Sequence, residues 1–230
     1  QSSNTETIAS GVTAIAQTRS ATHCNPAEAN THPNLSGSDL ALVHNGIIEN
    51  FQELKDELEA AGYAFQSQTD TEVIVHLLHQ ILDTGVDLFA AVQQVVKKLD
   101  GAYALGVIHK DEPHKLVAVR SGSPLVIGLG IDENYIASDQ LALLPVTNRF
   151  IFLEEGDQAE ISTDNIRIVD AQGNPASRDT HEFDGTHEDA EKGEYRHYMQ
   201  KEILEQPAAS QKTLDGRIDG PESPIAAFGG

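Results

Sequence analysis

The sequence predicts an α+β fold in which stacked antiparallel sheets are covered by helices, and three observations carry that prediction. Helical and strand-like patterns are mixed without the regular βαβ alternation of a doubly wound sheet. Helical periodicity dominates residues 50–101, whereas from residue 102 the chain becomes a series of short β-rich runs separated by turn clusters. At 230 residues, 39% of them hydrophobic, the chain is long enough to bury a substantial core.

The elements follow in order. Residues 12–18, VTAIAQT, read as a strand, and RSATHCNPAEANTHPNLSGSD after them is rich in turn formers and reads as a long loop. Loops of that length inside a domain are usually functional. LALVH reads as a strand ending at Asn45-Gly46, and NFQELKDELEAAG as a helix. In that helix Asn50 and Glu53 stand at capping-box spacing, Phe51, Leu54 and Leu58 share a face, and Gly62 is placed to stop it. YAFQS reads as a short strand. TDTEVIVHLLHQILDTG is a second helix, with Thr69 and Glu72 at capping-box spacing and Asp70 in its first turn. DLFAAVQQVVKKLDG is a third, opened by Asp87, with Leu88, Ala91, Val92, Val95, Val96 and Leu99 as its buried stripe.

The runs AYALGVIH, KLVAVR, PLVIGLG, NYIAS, RFIFL, QAEIS and IRIVD then predict a meandering antiparallel sheet, interrupted by a short helix at DQLALL. Residues 170–194 are polar and acidic, and EYRHYMQKEILEQ reads as a helix that Pro207 stops. The expected organisation is one domain over residues 1–206, followed by a linker over 207–230.

Fifteen Lys and Arg against 36 Asp and Glu give a net charge of −21, which repels phosphate backbones and anionic lipid. Nucleic acid and membrane are therefore not expected partners. The one cysteine, Cys24, leaves no internal disulfide and no multi-cysteine metal site. No apolar run approaches the roughly 20 residues that span a bilayer, and the opening QSSNTETIAS lacks a signal-peptide pattern, so a cytoplasmic setting is expected.

Several candidates for chemistry stand beside blander readings. No Gly-rich phosphate loop and no zinc-protease helix motif is present, and no metal or cofactor is expected. His76 and His79, three apart on an apolar helix, more often pack as satisfied histidines than as ligands. His181 and His187 read as part of a solvated acidic loop, and Cys24 with His23 beside it offers a thiol nucleophile and its base, against which stands the rule that adjacent side chains usually point apart. Asn45 and Gly46 make a possible pair of donors, a side-chain amide and a glycine N–H, for the oxygen of a tetrahedral intermediate. Arg19 offers a planar fork for a carboxylate and Asp70 an anion for an ammonium, so these four residues together fit an amino-acid amide or ester in acyl transfer.

The blocks TRSATHCNPAEANTHP, LVHNGIIENFQELK, SQTDTEVIVHLL, VRSGSPLVIGLG, YIASDQLALLPVTNRFIFLEEGD and YRHYMQKEILEQP resemble a known family. It is the amino-terminal glutaminase domain of the glutamine–fructose-6-phosphate aminotransferases (glucosamine-6-phosphate synthases), which are class II amidotransferases. The resemblance implies an N-terminal nucleophile hydrolase fold, an αββα sandwich, here incomplete at its front. It implies a reaction in which an N-terminal cysteine thiol, with its own α-amino group as base, attacks the glutamine side-chain amide. The ammonia released then serves glucosamine 6-phosphate synthesis from fructose 6-phosphate in a separate isomerase domain. It further implies that Arg19 binds the α-carboxylate of glutamine, with Thr22 and His23 in the same loop. Asp70 would hold the α-amino group, and Asn45 and Gly46 would form the oxyanion hole.

The sequence departs from the family pattern at several points. The family's Cys-Gly-Ile-Val-Gly start does not occur in it, Ser20 stands where a tryptophan is usual, Cys24 where a glycine is, and Gln17 where a histidine is. The expectations are a glutamine-binding fragment without its nucleophile, inactive by itself, with an exposed apolar sheet edge, and a homo-oligomer for the full-length enzyme. The alternatives are a non-catalytic glutamine-binding or interaction module, or another class II amidotransferase.

Overall fold

A computed structural model describes residues 12–17, 30–183, 203, 204 and 206. The chain divides into two compact units, residues 1–183 and 184–230; in the second, Ile203, Leu204 and Gln206 are helical. In the first, strands β1 (Asn34–Ser36) and β2 (Leu40–Ile48) precede helices α1 (Phe51–Ala60), α2 (Thr71–Leu82) and α3 (Leu88–Val95). Strands β3 (Gly101–His109), β4 (Leu116–Ser121), β5 (Val126–Leu129), β6 (Asn134–Ala137), β7 (Arg149–Phe152), β8 (Gln158–Ile161), β9 (Ile166–Val169), β10 (Pro175–Ala176) and β11 (Thr180–Glu182) follow.

They form two antiparallel sheets, one of seven strands in the order β1-β2-β3-β4-β8-β9-β10 and one of four in the order β11-β7-β5-β6. The central strands are apolar on both faces because each face meets a different layer. On β3 and β4, Tyr103, Leu105, Val107, Val117 and Val119 join the helices in one core, while Ala104, Leu116 and Ala118 join Leu125, Ile127, Ile151 and Leu153 of the second sheet's side in another. The outer face of the four-stranded sheet carries a smaller cluster of Val126, Leu143 and Phe150. The expected α+β sandwich is therefore present, with helices, first sheet and second sheet in that order.

Helix α2 is the centre of the helical layer. Nine of its twelve residues are buried, including Val73, Ile74, Val75, Leu77, Leu78 and Ile81. Each fully buried aliphatic side chain contributes about 1.5–3 kcal/mol, so α2 is held by packing rather than by its ends.

The structure corrects several expectations about elements. Residues 12–17 are not in a strand; their side chains reach across instead, Thr13 Oγ1 to the Pro113 carbonyl at 2.7 Å and Gln17 Nε2 to the His44 carbonyl at 2.7 Å. Strand β2 does not end at Asn45-Gly46 but runs on to Ile48, paired with β3 along its whole length. Residues 63–67 are not a strand either. The N–H groups of Gln66 and Ser67 donate to the Glu72 carboxylate, each at 2.7 Å, which takes them out of any ladder.

Neither capping box forms. Glu72 serves residues 66 and 67 rather than Thr69, and Asn50 ties the start of α1 to the approach to β3. Its amide donates to the Lys98 carbonyl at 2.8 Å and accepts from the Asp100 N–H at 3.0 Å. The short helix at DQLALL is a 3-10 turn, Gln140–Ala142, capped by Asp139. The polar segment after residue 170 contributes β10 and β11, so His181 lies in a strand, edge to face with Phe152 at 5.4 Å. Between those strands Arg178 grips the fully buried Asp157 through both carboxylate oxygens, at 2.8 and 2.7 Å.

Candidate functional site

The second half of β2 shows why Asn45-Gly46 reads as a special place. Along the strand His44 and Ile48 are buried towards the helices, while Asn45, Gly46 and Ile47 are exposed. Gly46 has φ +139°, and a Cβ built on it would stand 2.0 Å from the Ala102 carbonyl oxygen. Only glycine fits so close to the neighbouring strand in that conformation. The Asn45 side chain is exposed and makes no hydrogen bond among the described residues, so its amide N–H groups are available to a ligand. Asn45 also lines a cavity of about 1030 Å³ between the sheets, together with residues such as Gln17, His114 and Tyr135.

Asp70 sits at the N-cap of α2, immediately beside this segment. Its Oδ2 accepts the Ile48 N–H at 2.8 Å, and its Oδ1 lies 4.0 Å from His44 Nδ1. Its side chain remains 25% exposed, which leaves the carboxylate able to meet a cation from solvent. Asn45, Gly46 and Asp70 are thus brought together by β2 and the start of α2. Arg19, Thr22, His23, Ser20 and Cys24 lie outside the described residues, as does His187. The bond from Gln17 to the His44 carbonyl brings the chain to the site two residues before Arg19.

Sequence reasoning missed the polar groups beneath the site. His44 is buried and its Nδ1 shares a hydrogen bond with Thr71 Oγ1 at 2.9 Å. Burial drives its imidazole down to about 4 against the opposing pull of Asp70, so it is neutral near pH 7. Deeper in, Ser36 Oγ meets His76 Nδ1 at 3.0 Å, and His76 Nε2 faces Glu72 Oε1 at 3.4 Å. Burial opposes the charge on Glu72, but the Ser67 hydroxyl and the N–H groups of Gln66 and Ser67 together outweigh it and hold the carboxyl below its ordinary value. Ser36 is too buried to act as a nucleophile, and Tyr63 and Phe65 close the same pocket around His76 with ring centroids at 5.0 and 4.9 Å. His79 instead faces Asp83 at 3.9 Å, and no cluster of three or more metal-ligating residue types occurs among the described residues. A repeating Ser, Thr and Glu pattern around residues 67–72 was the available signal, but it matched a helix cap equally well.

An anion fixed beside an exposed amide and a glycine backbone suits an amino acid carrying an amide. The family described as "Glutamine amidotransferase domain" matches residues 18–145. The chain belongs to that family.

The domain is 56% identical over 219 residues to the glutamine–fructose-6-phosphate aminotransferase [isomerizing] of Pseudomonas putida, covering 95% of this chain and 36% of that protein. The enzymes of the same name from Acinetobacter baylyi (58% over 211 residues, 92% of this chain and 34% of that protein) and Shewanella oneidensis (54% over 225 residues, 98% and 37%) are similar. The chain thus spans about a third of the length of these relatives, and this glutamine amidotransferase domain is homologous to their glutaminase part. Among solved structures it resembles a glutamine phosphoribosylpyrophosphate amidotransferase from B. subtilis complexed with ADP and GMP, at TM-score 0.54 and 27% identity over 64% of this chain and 33% of that one. It also resembles an allosteric regulatory enzyme of purine biosynthesis, at TM-score 0.53 and 26% identity over 62% and 31% of the two chains. The amidotransferase domain therefore has the N-terminal nucleophile hydrolase type of fold that the sequence resemblance implied.

Proposed function

We propose that this amidotransferase domain is the glutamine-holding part of a glutamine–fructose-6-phosphate aminotransferase, in which ammonia from glutamine is used to make glucosamine 6-phosphate. One observation carries the reading most directly: the Asp70 carboxylate is fixed by the Ile48 N–H beside an exposed Asn45 amide and an obligatory Gly46. Asp70 takes the α-ammonium of glutamine, and Arg19, with Thr22 and His23 in its loop, takes the α-carboxylate. The side-chain amide then lies over Asn45-Gly46. As a thiol adds to the amide carbon, the carbonyl π electrons move to oxygen, and the Asn45 amide and Gly46 N–H stabilise the resulting oxyanion. The amide nitrogen leaves as ammonia after taking a proton, and water cleaves the thioester to give glutamate.

Fructose 6-phosphate belongs to the reading only through an isomerase domain, with residues 207–230 as the linker towards it. Homo-oligomeric assembly and a cytoplasmic setting are parts of the same proposal. No helix among the described residues is long and apolar enough to cross a membrane, and the charge of −21 opposes binding to nucleic acid.

Calorimetric titration of the 230-residue chain with glutamine tests the proposal. Binding that is lost in Arg19→Ala and in Asp70→Ala is the expected result, and ammonia release is expected to be absent because Cys24 is the only thiol. Failure to bind glutamine would reject the substrate assignment; ammonia release abolished by Cys24→Ser would instead make Cys24 the nucleophile.

A further inference from the structure

We infer that His44 is a positioning residue of this site, holding Asp70 in place beside Asn45-Gly46 through its grip on the first residue of α2. The inference rests on the glutamine reading and adds a residue to it.

A buried polar side chain on the helix-facing side of a central strand is costly unless it is hydrogen-bonded. His44 is 4% exposed and Thr71 1%, and the bond between His44 Nδ1 and Thr71 Oγ1 partners the hydroxyl and one ring nitrogen where β2 passes the start of α2, while Nε2 has no hydrogen-bond partner among the described residues. A second tether runs from the Ile48 N–H to Asp70. Two adjacent helix residues are therefore fastened to two strand residues four apart, with Asn45 and Gly46 in between. One tether alone would let the helix start pivot about it; two prevent that and fix the distance from the carboxylate to the oxyanion donors.

The choice of imidazole also matters electrostatically. The groups facing His44 are Asp70 and Thr71 from α2, His32 from the segment before β1, and Gln17 at its carbonyl. A lysine or arginine here would pair with Asp70 and compete with a substrate ammonium. A neutral imidazole leaves the carboxylate its charge.

The test compares binding of glutamine with binding of 4-carbamoylbutanoate, which is glutamine without its α-amino group, by calorimetry on the 230-residue chain. The parent is expected to prefer glutamine by about tenfold or more, as a charge-assisted hydrogen bond allows. His44→Leu and Thr71→Val should each narrow that preference about threefold to tenfold without changing affinity for the analogue. His44→Asn, whose amide can reach the position of Nδ1, should recover part of it. Equal weakening of both ligands would mean a merely structural role and would overturn the inference, as would an unchanged preference. Thr71→Val removes one hydroxyl at nearly constant volume, so it decides the matter if His44→Leu fails to fold. A parent indifferent to the amino group, or an Asp70→Asn chain that keeps the preference, would overturn the glutamine reading and this inference with it.

Discussion

Helices α2 and α3 both have an aspartate at the N-cap, yet the two carboxylates face different tasks. Asp87 turns into its own helix and accepts the Ala90 N–H at 2.8 Å. Asp70 makes no such bond and accepts the Ile48 N–H of β2 instead. The difference lies in what else holds each helix. Helix α3 is only eight residues long and gains from a local cap, whereas α2 buries nine of its twelve residues and keeps its place without one. Tertiary packing thereby spares Asp70 from capping its own helix, so that one carboxylate oxygen ties the helix start to β2 and the charge is left for a ligand.

The contrast can be broken most severely at the strand beneath α2. Gly46→Ala would set a Cβ 2.0 Å from the Ala102 carbonyl at a φ of +139°, and is expected to cost more than about 3 kcal/mol in urea unfolding. Acid is the next largest perturbation. The unfolded His44 imidazole takes a proton near its ordinary value, while the folded one resists until about 4. Between those values the unfolded state binds more protons, so stability falls as pH drops, by about 3 kcal/mol across the window. His76, also lowered by burial, adds a loss of the same sign. Urea midpoints between pH 7 and 4 measure this, and His44→Leu should flatten the slope.

Asp70→Asn sharpens the comparison further. It keeps an oxygen for the Ile48 N–H but removes the charge, so glutamine affinity should fall by about 1.5–2 kcal/mol with little change in melting temperature. Asp87→Ala should do the reverse: a loss of about 1 kcal/mol in stability, with glutamine affinity unchanged. Equal behaviour of the two aspartate variants in calorimetry and melting would remove the distinction drawn between the helices.

Much of this protein was determined by its sequence. The period of α3, its Asp87 cap and the short apolar, β-rich runs of β3 and β4 follow from interactions within a turn or between adjacent side chains, and these are legible locally. The family blocks around Arg19, Asn45 and Asp70 were legible too. The tertiary structure decided where backbone donors and carboxylates find their partners. Asn45-Gly46 lies within a strand because β3, far along the chain, pairs with it, and Glu72 serves residues 66 and 67 because the preceding segment folds back over the helix start. His44 is an ordinary strand residue in the sequence. Its role arises only when burial removes water and leaves Thr71 as its partner, which no local pattern encodes.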